Sequence, residues 1–103
     1  MPKALYRGEW YIYHTRRREF AAYISASRRR DDPEGVYVRW VPTLKGVTSY
    51  KNPSTAQRWA NRINHAMQLK RQGRPAKVVT VVTGEGARCL DRINTRDRGR
   101  PYQ

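Results

Sequence analysis

Two runs of three arginines, Arg16–Arg18 and Arg28–Arg30, flank the aromatic and apolar segment "EFAAYISAS" at Glu19–Ser27. Guanidinium groups in this density suit phosphate: each is a planar fork of donors that can grip two oxygens and stack on a base. The whole chain agrees. Among its 103 residues, 22 are Lys or Arg against 8 Asp or Glu, giving a net charge of +14. Such an excess concentrates anions around a small protein and points to a polyanionic partner. Nucleic acid is expected, with DNA favoured over RNA.

Other chemistry finds few residues to carry it. Cys89 is the single cysteine, and His14 and His65 are too scattered to give a metal-ligand spacing, so neither an internal disulfide nor a metal is expected. Asp31, Asp32 and Glu34 cluster in one turn beside Arg28–Arg30, where they neutralise charge. A nuclease would require carboxylates converging on a rigid site. "TGEGAR" is too short for a phosphate-binding loop, and no Ser, His and Asp set stands out. No enzymatic activity and no cofactor are expected. No apolar run has the length of a membrane span, and "MPKALYRGEW" has no apolar signal core, so a cytoplasmic or nucleoid-associated protein without membrane contact is expected.

The positioning elements follow from periodicity. "EWYIYHT" (9–15) and "EFAAYISAS" (19–27) are rich in aromatic and β-branched residues and are joined by the first arginine triplet, which predicts a hairpin. "RRRDDPEG" supplies Pro and Gly for a turn into a third strand, "VYVRWV" (36–41), and "VTSY" (47–50) could extend the sheet. From Asn52 the apolar spacing turns helical: Ala56, Trp59, Ala60, Ile63, Ala66 and Met67 share one face of a helix over 53–72. Asn52 with Pro53, or Ser54 with Gln57, can cap its start. "KVVTVVTG" predicts a further strand. Residues 84–103 hold five arginines and little periodicity, and read as a flexible basic tail, with a short helix near Ala87–Ile93 as the alternative. The expected fold is α+β: a single domain over 1–83, with a three-stranded antiparallel meander and one more strand packed on one amphipathic helix.

Strand alternation then sorts the side chains. Trp10, Ile12, Phe20, Ala22, Ile24, Val36, Val38 and Trp40 would face the helix as core. Tyr11, Tyr13, Tyr23, Ser25, Tyr37 and Arg39 would face away. Tyrosine rings can stack on bases or pack on sugars while their hydroxyls reach phosphate. The two triplets at the ends of the second strand, on the order of 30 Å apart, could reach both rims of a major groove roughly 12 Å wide. Arg58 and Arg62 on the helix, and Arg88, Arg92, Arg96, Arg98 and Arg100 beyond it, would lengthen the footprint.

The order of three antiparallel strands and one helix, the basic first hairpin, and "YKNPSTAQRWANRI" where the helix begins together resemble the small DNA-binding modules of tyrosine integrases and the plant AP2 domains. The resemblance covers roughly residues 7–70. It implies a sheet laid in the major groove, with contacts from Arg16–Arg18, Tyr11, Tyr13, Tyr23, Tyr37 and Arg39. A rival expectation from another class is a small phage or mobile-element inhibitor that docks its basic face on a protein or ribonucleoprotein, such as a CRISPR effector. Homodimer formation through an edge strand or the tyrosine face is compatible with either.

Overall fold

The computed structural model describes residues 9–26, 35–70 and 78–98. Its elements run β1 (Trp10–His14), β2 (Glu19–Ala26), β3 (Val36–Val41), α1 (Pro53–Lys70), β4 (Val79–Thr83) and α2 (Gly84–Arg98). The expected meander forms, and the fourth strand joins its far side: one antiparallel sheet has the order β3-β2-β1-β4. The fold is α+β, with two helices where one was expected.

Register decides which side chains go where. In the first hairpin Tyr13 pairs with Phe20 and His14 with Glu19. Opposed residues share a face, so Phe20 joins Tyr13, away from α1, and Ala21 takes the α1 side. Strict alternation would then turn Tyr23 inward, but β2 carries a bulge: Ala21 pairs with Trp40 and Tyr23 with Arg39, leaving Ala22 as the surplus residue. The bulge shifts the alternation by one. Ile24 therefore joins Val36, Val38 and Trp40 on the α1 side, where they pack around buried Ile12, Ala21, Ala56, Ala60, Ile63 and Val79. The expected placement of Phe20 and Ala22 in that core is corrected, because each strand was counted alone without its register.

The bulge also parts β1 from β2. Ala22's carbonyl accepts from the Thr48 amide at 3.2 Å and the Thr48 hydroxyl at 2.9 Å. Trp10 meanwhile exchanges two backbone hydrogen bonds with Tyr50, at 3.0 and 2.8 Å. Segment 48–50 thus wedges into the gap and satisfies polar groups that would otherwise lack a ladder partner. Beyond that wedge, β2 and β3 continue as a two-stranded ribbon.

Asn52 caps α1 with its side-chain oxygen, which accepts from the Ser54 amide at 2.8 Å, and Pro53 opens the first turn. The helix is fastened to the outer edge of β4 by Asn64, whose side-chain amide donates to Val79 O at 2.9 Å and accepts from Val79 N at 3.0 Å. That pair of bonds covers edge groups that could template a further strand.

The expected flexible tail is corrected over 84–98, which form α2; residues 99–103 lie outside the described set. Thr83 ends β4 and caps the helix, its hydroxyl accepting from the Gly86 amide at 3.1 Å. Ala87 and Leu90 pack on Tyr13, Phe20, Tyr11 and Val82, a second apolar cluster on the face opposite α1. Burying a Phe-sized side chain contributes about 1.5–3 kcal/mol, so this contact holds a helix whose own first turn contains two unfavourable glycines. Further along, buried Asn94 donates to Arg18 O at 2.8 Å and Pro42 O at 3.1 Å, tying the end of α2 to the hairpin turn and to the exit of β3.

Two outcomes are expected in thermal unfolding monitored by circular dichroism. Asn94→Ala strands two carbonyls and should cost about 1–3 kcal/mol, lowering Tm by roughly 4–8 °C for each kcal/mol lost; an unchanged Tm would contradict the tie. At Gly84 an added Cβ would lie 2.7 Å from Glu9 Cβ. Gly84→Ala should therefore destabilise by about 1–3 kcal/mol through overpacking, despite the better helix propensity of alanine.

Candidate nucleic-acid interface

The face away from α1 is divided by α2. Tyr13 is buried and Tyr11 half-buried beneath that helix, with the Tyr13 ring tilted against Phe20 at 4.9 Å between centroids. These two tyrosines, expected as contact residues, instead form part of the second core. The β2–β3 half stays open: Tyr23 is 53% exposed, Tyr37 61% exposed, and Arg39 is exposed as well. Their arrangement follows from the ladder, in which Tyr23 faces Arg39 and Ser25 faces Tyr37. Diagonally placed, the two tyrosine rings meet edge to face at 6.3 Å, a favoured aromatic geometry. The result is a small aromatic floor with a guanidinium beside it.

The first arginine triplet lies at the opposite end of the ribbon. Thr15–Arg18 form the hairpin turn, closed by the Arg18 amide donating to His14 O at 2.8 Å, with Arg18 in the left-handed region at φ 57°. His14 is buried in edge-to-face contact with Trp40, and its Nδ1 accepts from the Arg17 amide at 3.1 Å, so it shapes the turn. Arg16, Arg17 and Arg18 are all exposed. Arg17 is partly compensated by Glu19, its Nε lying 2.8 Å from the carboxylate. From Arg18 to Tyr23 is five residues of strand, about 16 Å.

Because Asn94 fixes the end of α2 to Arg18, two basic segments distant in sequence converge there. Exposed Arg92 and Arg96 follow Arg88 at four-residue spacing on the outer side of α2, two residues either side of Asn94. Arg88 itself pairs with Glu9 at 3.2 Å. Such solvated pairs are worth at most about 1 kcal/mol, so they leave both arginines able to exchange a carboxylate for a phosphate.

Arg58 and Arg62 are not brought to this face. They sit on α1, beyond the other side of the sheet, where Arg62 donates to Gly35 O at 3.4 Å and lies 5.7 Å from the Trp59 ring centroid. Arg28, Arg29 and Arg30 lie outside the described residues, as does Arg100. Sequence reading missed Asn94 and Thr48; both are polar side chains whose partners are backbone carbonyls more than 20 residues away, as the separations of 76, 52 and 26 residues record. No local pattern signals such bonds.

Burial pushes the Tyr50 phenol above its usual range, so this residue remains a neutral wedge beside Trp10. Among the described residues, no three His, Cys, Asp or Glu side chains are grouped to hold a metal ion, and no helix is long and apolar enough to cross a membrane. Compared with family models, with curated proteins and with solved structures, the chain finds no match in any of the three.

Proposed function

We propose that the protein binds nucleic acid, duplex DNA in preference to RNA, by setting the open face of the β2–β3 ribbon into the major groove. The observation that carries this reading is the exposed Tyr23, Tyr37 and Arg39 patch on a strand pair whose neighbouring surface is already filled by α2. Two strands spaced about 4.8 Å apart make a ribbon that fits a groove roughly 12 Å wide. A wider open sheet would not enter so readily. The major groove of an RNA helix is too deep and narrow for side chains to read, which is the physical ground for preferring DNA.

Roles follow from position. Arg16, Arg17 and Arg18, with Arg92 and Arg96 nearby, neutralise phosphates at one rim, and the release of condensed counterions supplies most of the affinity. The Arg28–Arg30 triplet, in the sequence between β2 and β3, would supply charge at the ribbon's other end. Arg39 is the candidate for reading a base edge, since a guanidinium can donate twice to guanine O6 and N7. Tyr23 and Tyr37 pack against sugars or thymine methyls and aim their hydroxyls at phosphate. Specificity rests on those three side chains and affinity on the arginines.

Fluorescence anisotropy with labelled duplex DNA, single-stranded DNA and RNA across a salt series tests this. With about six phosphates neutralised, log affinity should fall against log salt with a slope near −5. Replacing Arg16, Arg17 and Arg18 together by alanine should flatten the slope by about 2 to 3. Tyr23→Ala/Tyr37→Ala should weaken duplex binding at least about tenfold while leaving the slope unchanged, since the lost ring contacts carry no charge. Equal binding to every polyanion, indifferent to the tyrosines, would refute the ribbon model. Tighter binding to single strands would make the floor a stacking platform. No binding at moderate salt, with firm capture of one acidic protein, would favour the docking alternative.

A further inference from the structure

The helix on the other side of the sheet carries its own cationic groove. Thr55, Arg58, Trp59 and Arg62 line a shallow open pocket on α1, and the Arg62 guanidinium, held toward Gly35 O, forms one wall over the Trp59 ring. Lys51, just before the helix, and Arg58 are both exposed. Helix α1 contains no Asp or Glu from Pro53 to Lys70. Its buried stripe, Ala56, Ala60 and Ile63, faces the sheet. Arg58 is two residues from Ala56, roughly 200° around the helix, and so points away from the sheet. Helix and sheet together separate this ridge from the Tyr23 and Tyr37 face by on the order of 20 Å.

Such a surface suits a phosphate backbone. It offers a guanidinium, an ammonium, a threonine hydroxyl and an aromatic wall, the groups that contact phosphate and sugar without reading sequence. One duplex cannot serve both faces locally: a groove seated on the ribbon is about 12 Å wide, and DNA resists bending over much less than its persistence length of about 150 base pairs. A duplex that meets the charge on α1 is therefore a different one, or a distant part of the same one.

We propose that the α1 ridge, centred on Arg58 with Thr55, Trp59 and Arg62, is a second, sequence-independent DNA-backbone site, and that the protein bridges two duplex segments, one on each side of its sheet. This rests on the reading of the ribbon face as a DNA site and adds a second valence to it. Several copies bound along one duplex present their α1 ridges as an array, so contacts that are weak singly add up when a second duplex lies alongside.

The test loads the full chain onto bead-tethered duplex and then offers a second duplex with another fluorophore. Wild-type protein should retain the second duplex. Arg58→Ala/Arg62→Ala should hold the first duplex in anisotropy within about threefold, yet capture at least about tenfold less of the second, as loss of two phosphate contacts implies. Arg58→Glu alone, at an exposed position, keeps the test independent of any packing lost around Arg62 and should also abolish capture. Unchanged capture by both variants, as pairing between two copies of the chain would give, overturns the proposal. So does wild-type protein that binds one duplex tightly and never retains a second. If wild-type protein binds no duplex in anisotropy, the ribbon reading itself fails, and the bridge with it.

Discussion

Between Ala21 and Tyr23, strand β2 holds one residue more than β3 can pair, and this mismatch governs what each face of the sheet becomes. The hairpin fixes Phe20 beside Tyr13, so the lower part of β2 is phased to serve a core on the α2 side. Were Ala22 paired as a regular ladder residue, the same phase would continue: Tyr23 and Ser25 would turn under α1 and Ile24 would face water. With Ala22 bulged out of the ladder, apolar Ile24 reaches the α1 core while Tyr23 returns to the open face. One strand thereby contributes to two cores near its start and to a solvent-facing surface near its end. The cost is a broken ladder against β1, and segment 48–50 offsets it by bonding to Ala22 on one side and Trp10 on the other.

The second constraint is the placement of α2, which turns an expected row of tyrosines into two unlike groups. Tyr11 and Tyr13 become packing residues, while Tyr23 and Tyr37 keep their exposure. A tyrosine satisfies either role because its ring is apolar and its tip is polar. What separates the roles here is position along the strands: α2 starts at Thr83 and crosses Phe20 to the exit of β3 at Pro42, so it covers the hairpin end of the sheet and leaves Tyr23 and Tyr37 beyond it. The ribbon is left open by geometry, and its side chains are of types that use such an opening.

Much of the fold was legible in the residues. Four strands, their antiparallel meander and the capped helix at Asn52 follow from alternation, turn residues and the recurrence of Ala56, Ala60 and Ile63 at helical spacing. Helix α2 was legible only as the short alternative over Ala87–Ile93, for physical reasons that can be named. Gly84 and Gly86 weaken its first turn, and the segment is polar on the whole, with Asn94 in the inner stripe beside Ala87 and Leu90, so its amphipathic pattern is drawn by charges outside more than by apolar residues inside. Its stability comes from tertiary contacts, with Tyr13 and Phe20 and through the Asn94 bonds, and those depend on a register no single strand declares. The same limit applies to the site. Arg39 with Tyr23 and Tyr37 was legible as one group by alternation, whereas the division of that face by α2 required the three-dimensional partner.

The convergence of charge near the hairpin turn has an energetic consequence. Asn94 holds the last turns of α2 against Arg18, so Arg92 and Arg96 share a region with Arg16, Arg17 and Arg18. Like charges brought together oppose folding. Three local features lessen that opposition: Glu19 lies against Arg17, solvent screens exposed groups over about 8 Å at physiological salt, and the negative end of the α2 macrodipole favours cations at its last turn. A ligand that binds only the folded chain stabilises it by mass action, so a polyanion bound at this region would offset the repulsion that remains. The same arginines that weaken the isolated hairpin are thus the ones through which a polyanion would secure it.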